Sequence, residues 1–267
     1  MPRYVLTVQY LGTRYAGWQM QNNALSVQEV IERALRRMFG MDIRIEGAGR
    51  TDAGVHALAQ VAHADLSVPI SDRGLLLGLN DLLPPDIRIR AVRAATPTFH
   101  ARFDARGKTY LYQIVNVPVA DVFLSPTHAH IRQPLDDGLM DRAAASLTGG
   151  HDFRAFTVRN PEVSSTVRTV RAVGVEREGE IVRIRIAADG FLRFMVRRIA
   201  GSLIEIGRGV QPARIMEEAL EPQFGVARWT APAEGLTLVS VDYDEIETAP
   251  ILPGWQGHAG TGVEPRK

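Results

Sequence analysis

Apolar and polar residues alternate from Arg3 to Tyr10 (RYVLTVQY), the period-two signature of a half-buried strand, and the run stops at the turn-forming Leu11-Gly12-Thr13. Ser26-Val27-Gln28-Glu29 then reads as a capping box, followed by Val27, Val30, Ile31, Ala34, Leu35 and Met38 at helical spacing, which predicts a helix over about 26–39. Strand-like segments follow near 43–48 and 58–66, then a Leu-rich helix over about 72–82 closed by Pro84-Pro85, then a strand near 87–93. Strand-helix-strand-strand-helix-strand is the order of a ferredoxin-like split βαβ unit.

An irregular stretch over about 94–106 (AATPTFHARFDAR) separates this round from a second one. The second opens at Lys108 to Val117, where Tyr110, Tyr112 and Ile114 share one face of a strand. A helix over about 136–148 follows, then a hairpin with arms near 166–176 and 180–188 that meet at Arg177-Glu178-Gly179. Next come a long helix over about 191–206, a shorter one after Pro212 and a last strand from Leu236 to Tyr243. The pattern predicts an α+β fold of two ferredoxin-like, RRM-like halves, each with an open antiparallel sheet. The expected division is an N-terminal domain over 1–105, a C-terminal domain over 106–247 and a poorly ordered tail over 248–267, rich in proline and glycine.

The chain's 267 residues, 45% hydrophobic and 23% charged, suffice for a sizeable core. No run of about 18 uncharged apolar residues occurs, so no membrane-spanning helix is expected. The N-terminal MPRYVLTVQY enters the first strand directly, which argues against a secretory signal and for a cytoplasmic protein. The absence of cysteine excludes disulfides, thiolate nucleophiles and cysteine-bound metals. The net charge of +1 conceals a polarity: residues 1–214 hold 28 basic and 21 acidic side chains, whereas residues 215–267 hold 3 and 9. A basic body and an acidic end permit a polyanionic partner without requiring one.

Chemistry concentrates in Gly47-Ala48-Gly49-Arg50-Thr51-Asp52-Ala53-Gly54-Val55-His56. Three glycines around an Arg-Thr-Asp core indicate a tight loop whose backbone adopts unusual dihedrals or approaches a ligand closely. Asp52 on such a loop is either a turn-former bonded to its own backbone or a functional carboxylate, and Arg50 and His56 nearby favour the second. The segment lacks both the Walker spacing and the dinucleotide GxGxxG. His128 and His130 share a strand face but have no third donor at ligand spacing, and His56 and His63, seven apart, are equally unsupported, so no metal is expected. Trp18 is expected in the core.

The segment GRTDAGVHA at 49–57 resembles the signature of the tRNA pseudouridine synthase A family. Further landmarks resemble that family in order: Tyr15 to Gln19 (YAGWQ), Ser26 to Gln28 (SVQ), Phe99 to Phe103 (FHARF), Lys108 to Tyr112 (KTYLY), Phe194 to Arg198 (FMVRR) and Ala233 to Leu236 (AEGL). Together they span about residues 3–243. The resemblance implies the pseudouridine synthase fold, with the active site in the cleft between the halves. It also implies conversion of uridine to pseudouridine at positions 38, 39 and 40 in the anticodon arm of tRNA, by a homodimer with the tRNA lying across both subunits.

By this resemblance Asp52 is the nucleophile or base and Arg197 its charge partner. Tyr110 packs against the target base, although Tyr112 on the same face is an alternative from spacing alone. Leu236 closes the other side of the pocket, and Arg50 displaces or clamps the phosphates of the flipped nucleotide. A carboxylate in this role needs a cation to keep it ionised, because burial alone raises its pKa. Isomerisation changes neither oxidation state nor bond count, so no cofactor is implied. Two other readings remain at this point. A non-catalytic protein with paired RRM-like modules would carry an RNP1-like run, which is missing. A glycoside hydrolase would need a second carboxylate where Arg50 and His56 stand.

Overall fold

A computed structural model describes residues 1–158, 164–223, 225 and 227–244. The tail over 248–267 lies outside the described residues.

The first round of the pattern becomes β1 (Arg3–Tyr10), α1 (Val27–Phe39), β2 (Ile45–Gly47), β3 (His56–Asp65), α2 (Asp72–Leu82) and β4 (Ile87–Ala95). Helix α1 starts where the capping signature places it: the Ser26 side chain accepts a hydrogen bond from the Glu29 N–H, and Gly40, at φ 72°, closes the helix in the left-handed conformation that glycine tolerates. Strand β2 is shorter than the six residues expected, because the chain turns at Ala48 into the glycine-bounded loop.

The second round gives β5 (Gly107–Val115), β6 (Ala129–His130), α3 (Asp137–Ala144), β7 (Gly149–Asp152), β8 (Val167–Glu178), β9 (Ile181–Ala188), α4 (Met195–Gly207), α5 (Ile215–Glu218) and β10 (Leu236–Asp242). The expected helix over 136–148 ends in a 3-10 turn over Ala145–Leu147. Helix α4 begins four residues later than the apolar periodicity predicts. The cause is Phe194, which sits at φ 63°, a region where a bulky side chain is strained, so Phe191 to Phe194 stay outside the helix. Strands β6 and β7 have two and four residues and carry no alternation by which to recognise them.

In the first half the strands lie in the order β4-β1-β3, with β2 on the far edge of β3; in the second the order is β10-β5-β9-β8, extended by β7. Each half therefore places its fourth strand beside its first, then its third, then its second, the arrangement the split βαβ reading demands. The open sheets of the two halves join into one ten-stranded sheet, a fusion the sequence pattern does not reveal. Strand β10, the edge of the second half, pairs in parallel with β3, through Thr237 opposite His56 and Leu238 opposite Ala57. Its other side is antiparallel to β5, with Leu236 opposite Tyr112 and Leu238 opposite Tyr110. The short register between β3 and β10 is the seam of the molecule, and the chain entering β3 at that seam is the loop that carries Asp52. Among the described residues no helix is long and apolar enough to cross a membrane.

Candidate active site

The loop from Ala48 to Val55 is fastened at nearly every residue. The Ala48 N–H donates to the Val61 carbonyl at 2.7 Å, and the Trp18 N–H donates to the Thr51 carbonyl at 3.2 Å. Lys108 donates through Nζ to the Ala48 carbonyl at 2.8 Å, and the fully buried Gln60 donates through Nε2 to the Gly49 carbonyl at 2.9 Å. The Thr51 hydroxyl meets the buried Tyr10 hydroxyl at 2.9 Å. The Gly54 N–H reaches the Tyr15 carbonyl at 3.3 Å, and Gly54 itself lies at φ 80°, so a residue with a Cβ would be strained there. Such a mesh fixes a loop that would otherwise be mobile.

Asp52 projects from this mesh towards the second half. Its Oδ2 lies 3.3 Å from Nη1 of Arg197 on the first turn of α4, and the two side chains are 23% and 17% exposed. Arg197 also donates through Nε to the Ala231 carbonyl at 2.9 Å, and the Ala231 N–H donates to the main-chain carbonyl of Arg197, so both the side chain and the backbone of Arg197 are tied to Ala231. Burial pushes the Asp52 carboxyl above its ordinary value. The charge and hydrogen bond of Arg197, and the charge of Arg193, pull it back without cancelling the shift. Arg197 thus pairs with Asp52, and its compensation of the burial is partial.

Phe194 organises the two arginines. Its ring stands 4.9 Å from the guanidinium carbon of Arg193 and 5.5 Å from that of Arg197, within the range of a cation–π contact. The strained backbone of Phe194 is therefore spent at the point where Arg193 and Arg197 face Asp52, as strain in binding sites often is. Nothing in the sequence around Phe194 signals a left-handed residue.

Tyr110 is 8% exposed, meets Phe191 edge-on at 5.1 Å between ring centres, and makes no hydrogen bond to a described residue through its hydroxyl. Burial raises its pKa, and the Tyr10 hydroxyl and the Asp52 carboxylate add to the rise, which places it in their field. Tyr112, two residues on, is fully buried, and its hydroxyl donates to the Pro232 carbonyl at 3.0 Å. The tyrosine left open by strand spacing is thus the one whose polar end is already satisfied in the core. Leu236 and Leu238 lie directly opposite Tyr112 and Tyr110 on β10, so all four side chains share one face of the sheet. Leu236 is 5% exposed. Arg50 is exposed and has no ion pair or hydrogen bond to a described residue.

Other candidates from the sequence fall to structural roles. His56 accepts from the Gly12 N–H through Nδ1 at 2.9 Å, which leaves the proton on Nε2 to donate to the Glu234 carbonyl at 3.1 Å. It ties the seam together and does not reach for Asp52. Trp18 is core, packed so close to Gly47 that an added Cβ would lie 2.4 Å from its Nε1. His128 and His130 bond to the Leu124 and Val117 carbonyls. A cluster that linear spacing hides does form: Glu46, His63 and His100 bring their donor atoms within 4.8 Å of one another. Nδ1 of His63 accepts from the Ala101 N–H and Nδ1 of His100 from the Arg102 N–H, so each neutral ring keeps its proton on the Nε2 that a metal would need. His100 Nε2 instead faces the Glu46 carboxylate at 3.2 Å.

The sequence family described as tRNA pseudouridine synthase matches over residues 6–104 and 143–244, segments that include Asp52, Arg197 and Leu236. The chain belongs to the tRNA pseudouridine synthase family. A relative from Pelobacter propionicus named tRNA pseudouridine synthase A is 43% identical over 239 residues, covering 89% of this chain and 98% of its own. Relatives of the same name from Idiomarina loihiensis and Klebsiella pneumoniae are 40% and 42% identical and cover 96% and 94% of this chain and 99% and 93% of their own. Family membership bears out the resemblance carried by GRTDAGVHA and the landmarks on either side of it.

Proposed function

We propose that this protein converts uridine to pseudouridine in tRNA at positions 38, 39 and 40 of the anticodon arm, with Asp52 as the catalytic carboxylate. The family supports the reaction class. The observation that carries the assignment of Asp52 is its pairing with Arg197 across the seam between the two halves of the sheet, on a loop fixed by hydrogen bonds at both ends. The reaction breaks the bond from N1 of uracil to C1′, turns the base, and joins C5 to C1′; C5 loses its hydrogen as a proton and N1 gains one. One carboxylate suffices, either by attacking C1′ or by removing the 2′ proton, and the partial exposure of Asp52 gives either atom access.

In this reading the uridine is flipped out of the RNA into the space above Tyr110, whose ring is the platform that keeps the cleaved uracil in register. Leu236, on the same sheet face, closes the apolar side, and Arg50, with no ion pair or hydrogen bond to a described residue, takes a phosphate of the displaced nucleotide. Two copies of the chain bind one tRNA across both, and the choice among neighbouring positions is a matter of RNA shape.

If the ring face of Tyr110 is what acts, Tyr110→Phe binds anticodon-arm RNA as the parent does, whereas Tyr110→Ala loses on the order of 1–3 kcal/mol of base contact. If the hydroxyl moves a proton, Tyr110→Phe also slows turnover by roughly 10²–10⁴-fold. Turnover of both variants by single-turnover kinetics separates platform from proton carrier, and we expect Tyr110→Phe to bind well and turn over slowly. Tyr112→Ala is the control: a large loss of turnover there in a folded protein, with Tyr110→Ala active, would shift the pocket by two residues.

The basic body supplies a second expectation. The affinity for tRNA should fall steeply with salt, with a log–log slope of roughly −0.7 to −0.9 per phosphate contact. Fluorescence anisotropy over a salt series measures it, and a flat response would contradict an RNA groove on residues 1–214.

A further inference from the structure

We infer that Lys108, with Arg102 and Arg168, forms a subsite for a phosphodiester of the RNA strand beside the Asp52 loop, a subsite distinct from Arg50 and one to which no described residue supplies a counter-charge. The inference rests on the proposed RNA substrate and adds to it where one backbone phosphate sits.

Lys108 is one of only two lysines in the chain and stands two residues before Tyr110 on β5. The residue is half-buried, and its ammonium group donates to the Ala48 carbonyl at 2.8 Å. It lies so close to the loop that a Cβ added at Gly49 would be 2.7 Å from Nζ. An ammonium has three donors, and one hydrogen bond to a carbonyl does not neutralise it. Buried charges are ordinarily paired, and three partly buried arginines of this protein obey the rule: Arg3 pairs with Asp65, Arg177 with Asp137 and Arg197 with Asp52. Lys108 has no carboxylate partner among the described residues.

The charged groups that act on Lys108 are themselves positive. Burial first, then the charges of Arg102 and Arg168, push its pKa down to about 8. Arg102 is exposed and forms no ion pair with a described residue, and Arg168, half-buried, spends its guanidinium on the Ser165 and Val167 carbonyls. Lys108 thus stands beside Gly49 in the field of two further cations, and none of the three forms an ion pair with a described residue. A cluster of this kind costs the folded protein stability, and an anion at its centre recovers that cost. A singly charged phosphodiester oxygen fits the need: it accepts from an ammonium and a guanidinium together, and the strand that delivers a uridine to Asp52 must pass the adjoining Gly49.

Lys108→Gln keeps a donor for the Ala48 carbonyl and removes the charge, whereas Lys108→Arg keeps a charge that does not titrate. The test measures the affinity of a synthetic anticodon-arm RNA hairpin for the parent and both variants against salt and pH, with pseudouridine formation in the same hairpin as a separate readout. Lys108→Gln should bind about tenfold more weakly, with a salt slope shallower by about 0.7–0.9, one phosphate contact, and its loss should appear in KM more than in kcat. A bound phosphate raises the pKa of Lys108, so the affinity of the parent should be full below about 8 and decline as pH rises through that value, while the affinity of Lys108→Arg stays level across it. Unchanged affinity and salt slope in Lys108→Gln would overturn the subsite. So would a collapse of kcat at unchanged affinity, which would make Lys108 a support for Ala48 only. Should Lys108→Gln melt early, the pH comparison of the parent with Lys108→Arg decides alone. Failure of the parent to form pseudouridine strikes the proposed reaction instead, since the affinity measurements do not depend on it.

Discussion

Asp52→Asn is expected to abolish pseudouridine formation while leaving the affinity for tRNA nearly that of the parent. An amide has the shape of the carboxylate but neither attacks carbon as one nor accepts a proton at neutral pH, so the loss should exceed the roughly 10²–10⁴-fold typical of a general acid or base. Product formation within about tenfold of the parent would remove Asp52 from the mechanism. The fold should not suffer. Burial raises the pKa of Asp52 more than Arg197 and Arg193 lower it, so the ionised carboxylate is a net cost to the native state. That cost is absent at a pH below the unfolded pKa and grows to its full value as pH rises through the higher folded one. At neutral pH the Asn variant should therefore melt at or above the temperature of the parent, measured by differential scanning calorimetry.

Arg197→Ala is expected to cost about 10²-fold or more in turnover and to lower the melting temperature as well. The substitution leaves Asp52 partly buried without its cation and frees the Ala231 carbonyl that Arg197 holds at 2.9 Å. Breaking a buried pair by removing one partner costs roughly 3–5 kcal/mol, and the partial exposure of this pair puts the expected cost below that range. The distinguishing sign is in the pH profile. Catalysis needs the ionised carboxylate, so activity falls on acidification through the pKa of Asp52. Without Arg197 that pKa rises further, and the acid limb of kcat should move to higher pH. Arg197→Lys restores the charge without the two-pronged grip, and it should recover part of the shift but not the full rate. An acid limb that stays in place in Arg197→Ala would assign the control of Asp52 to Arg193, the other cation that acts on it.

The elements that could be read from sequence were those governed by local physics. Helix α1 has a cap at Ser26, a stop at Gly40 and an apolar stripe between them, and it forms where those signals lie. Strand β1 announces itself by alternation, and the hairpin of β8 and β9 by its turn at Arg177-Glu178-Gly179. The start of α4 could not be read, because an apolar period runs through Phe191 and Leu192 while Phe194 is turned into a left-handed conformation by what packs around it. The fusion of the two sheets was equally hidden: it depends on the pairing of Thr237 and Leu238 with His56 and Ala57, far apart in the chain. At the site, Asp52 was visible as a carboxylate on a glycine-rich loop, and the family resemblance named Arg197. Gln60 lies on a strand in no recognisable motif, and Lys108 opens the KTYLY landmark without any sign of what it touches; only the fold brings the two to the Gly49 and Ala48 carbonyls. His56 looked like chemistry because it stands four residues from Asp52, and strand geometry turns it instead towards Gly12 and Glu234.

The central claim is that Asp52 drives the isomerisation of uridine in RNA, and release of tritium from tRNA labelled at C5 of uridine tests it most directly. The C5 hydrogen must leave as a proton when C5 joins C1′, whereas a protein that only binds RNA, or one that only hydrolyses a glycosidic bond, leaves it in place. The purified protein should release tritium in step with the pseudouridine formed, and Asp52→Asn should release none above background. No release by the parent, or equal release by Asp52→Asn, would contradict the account.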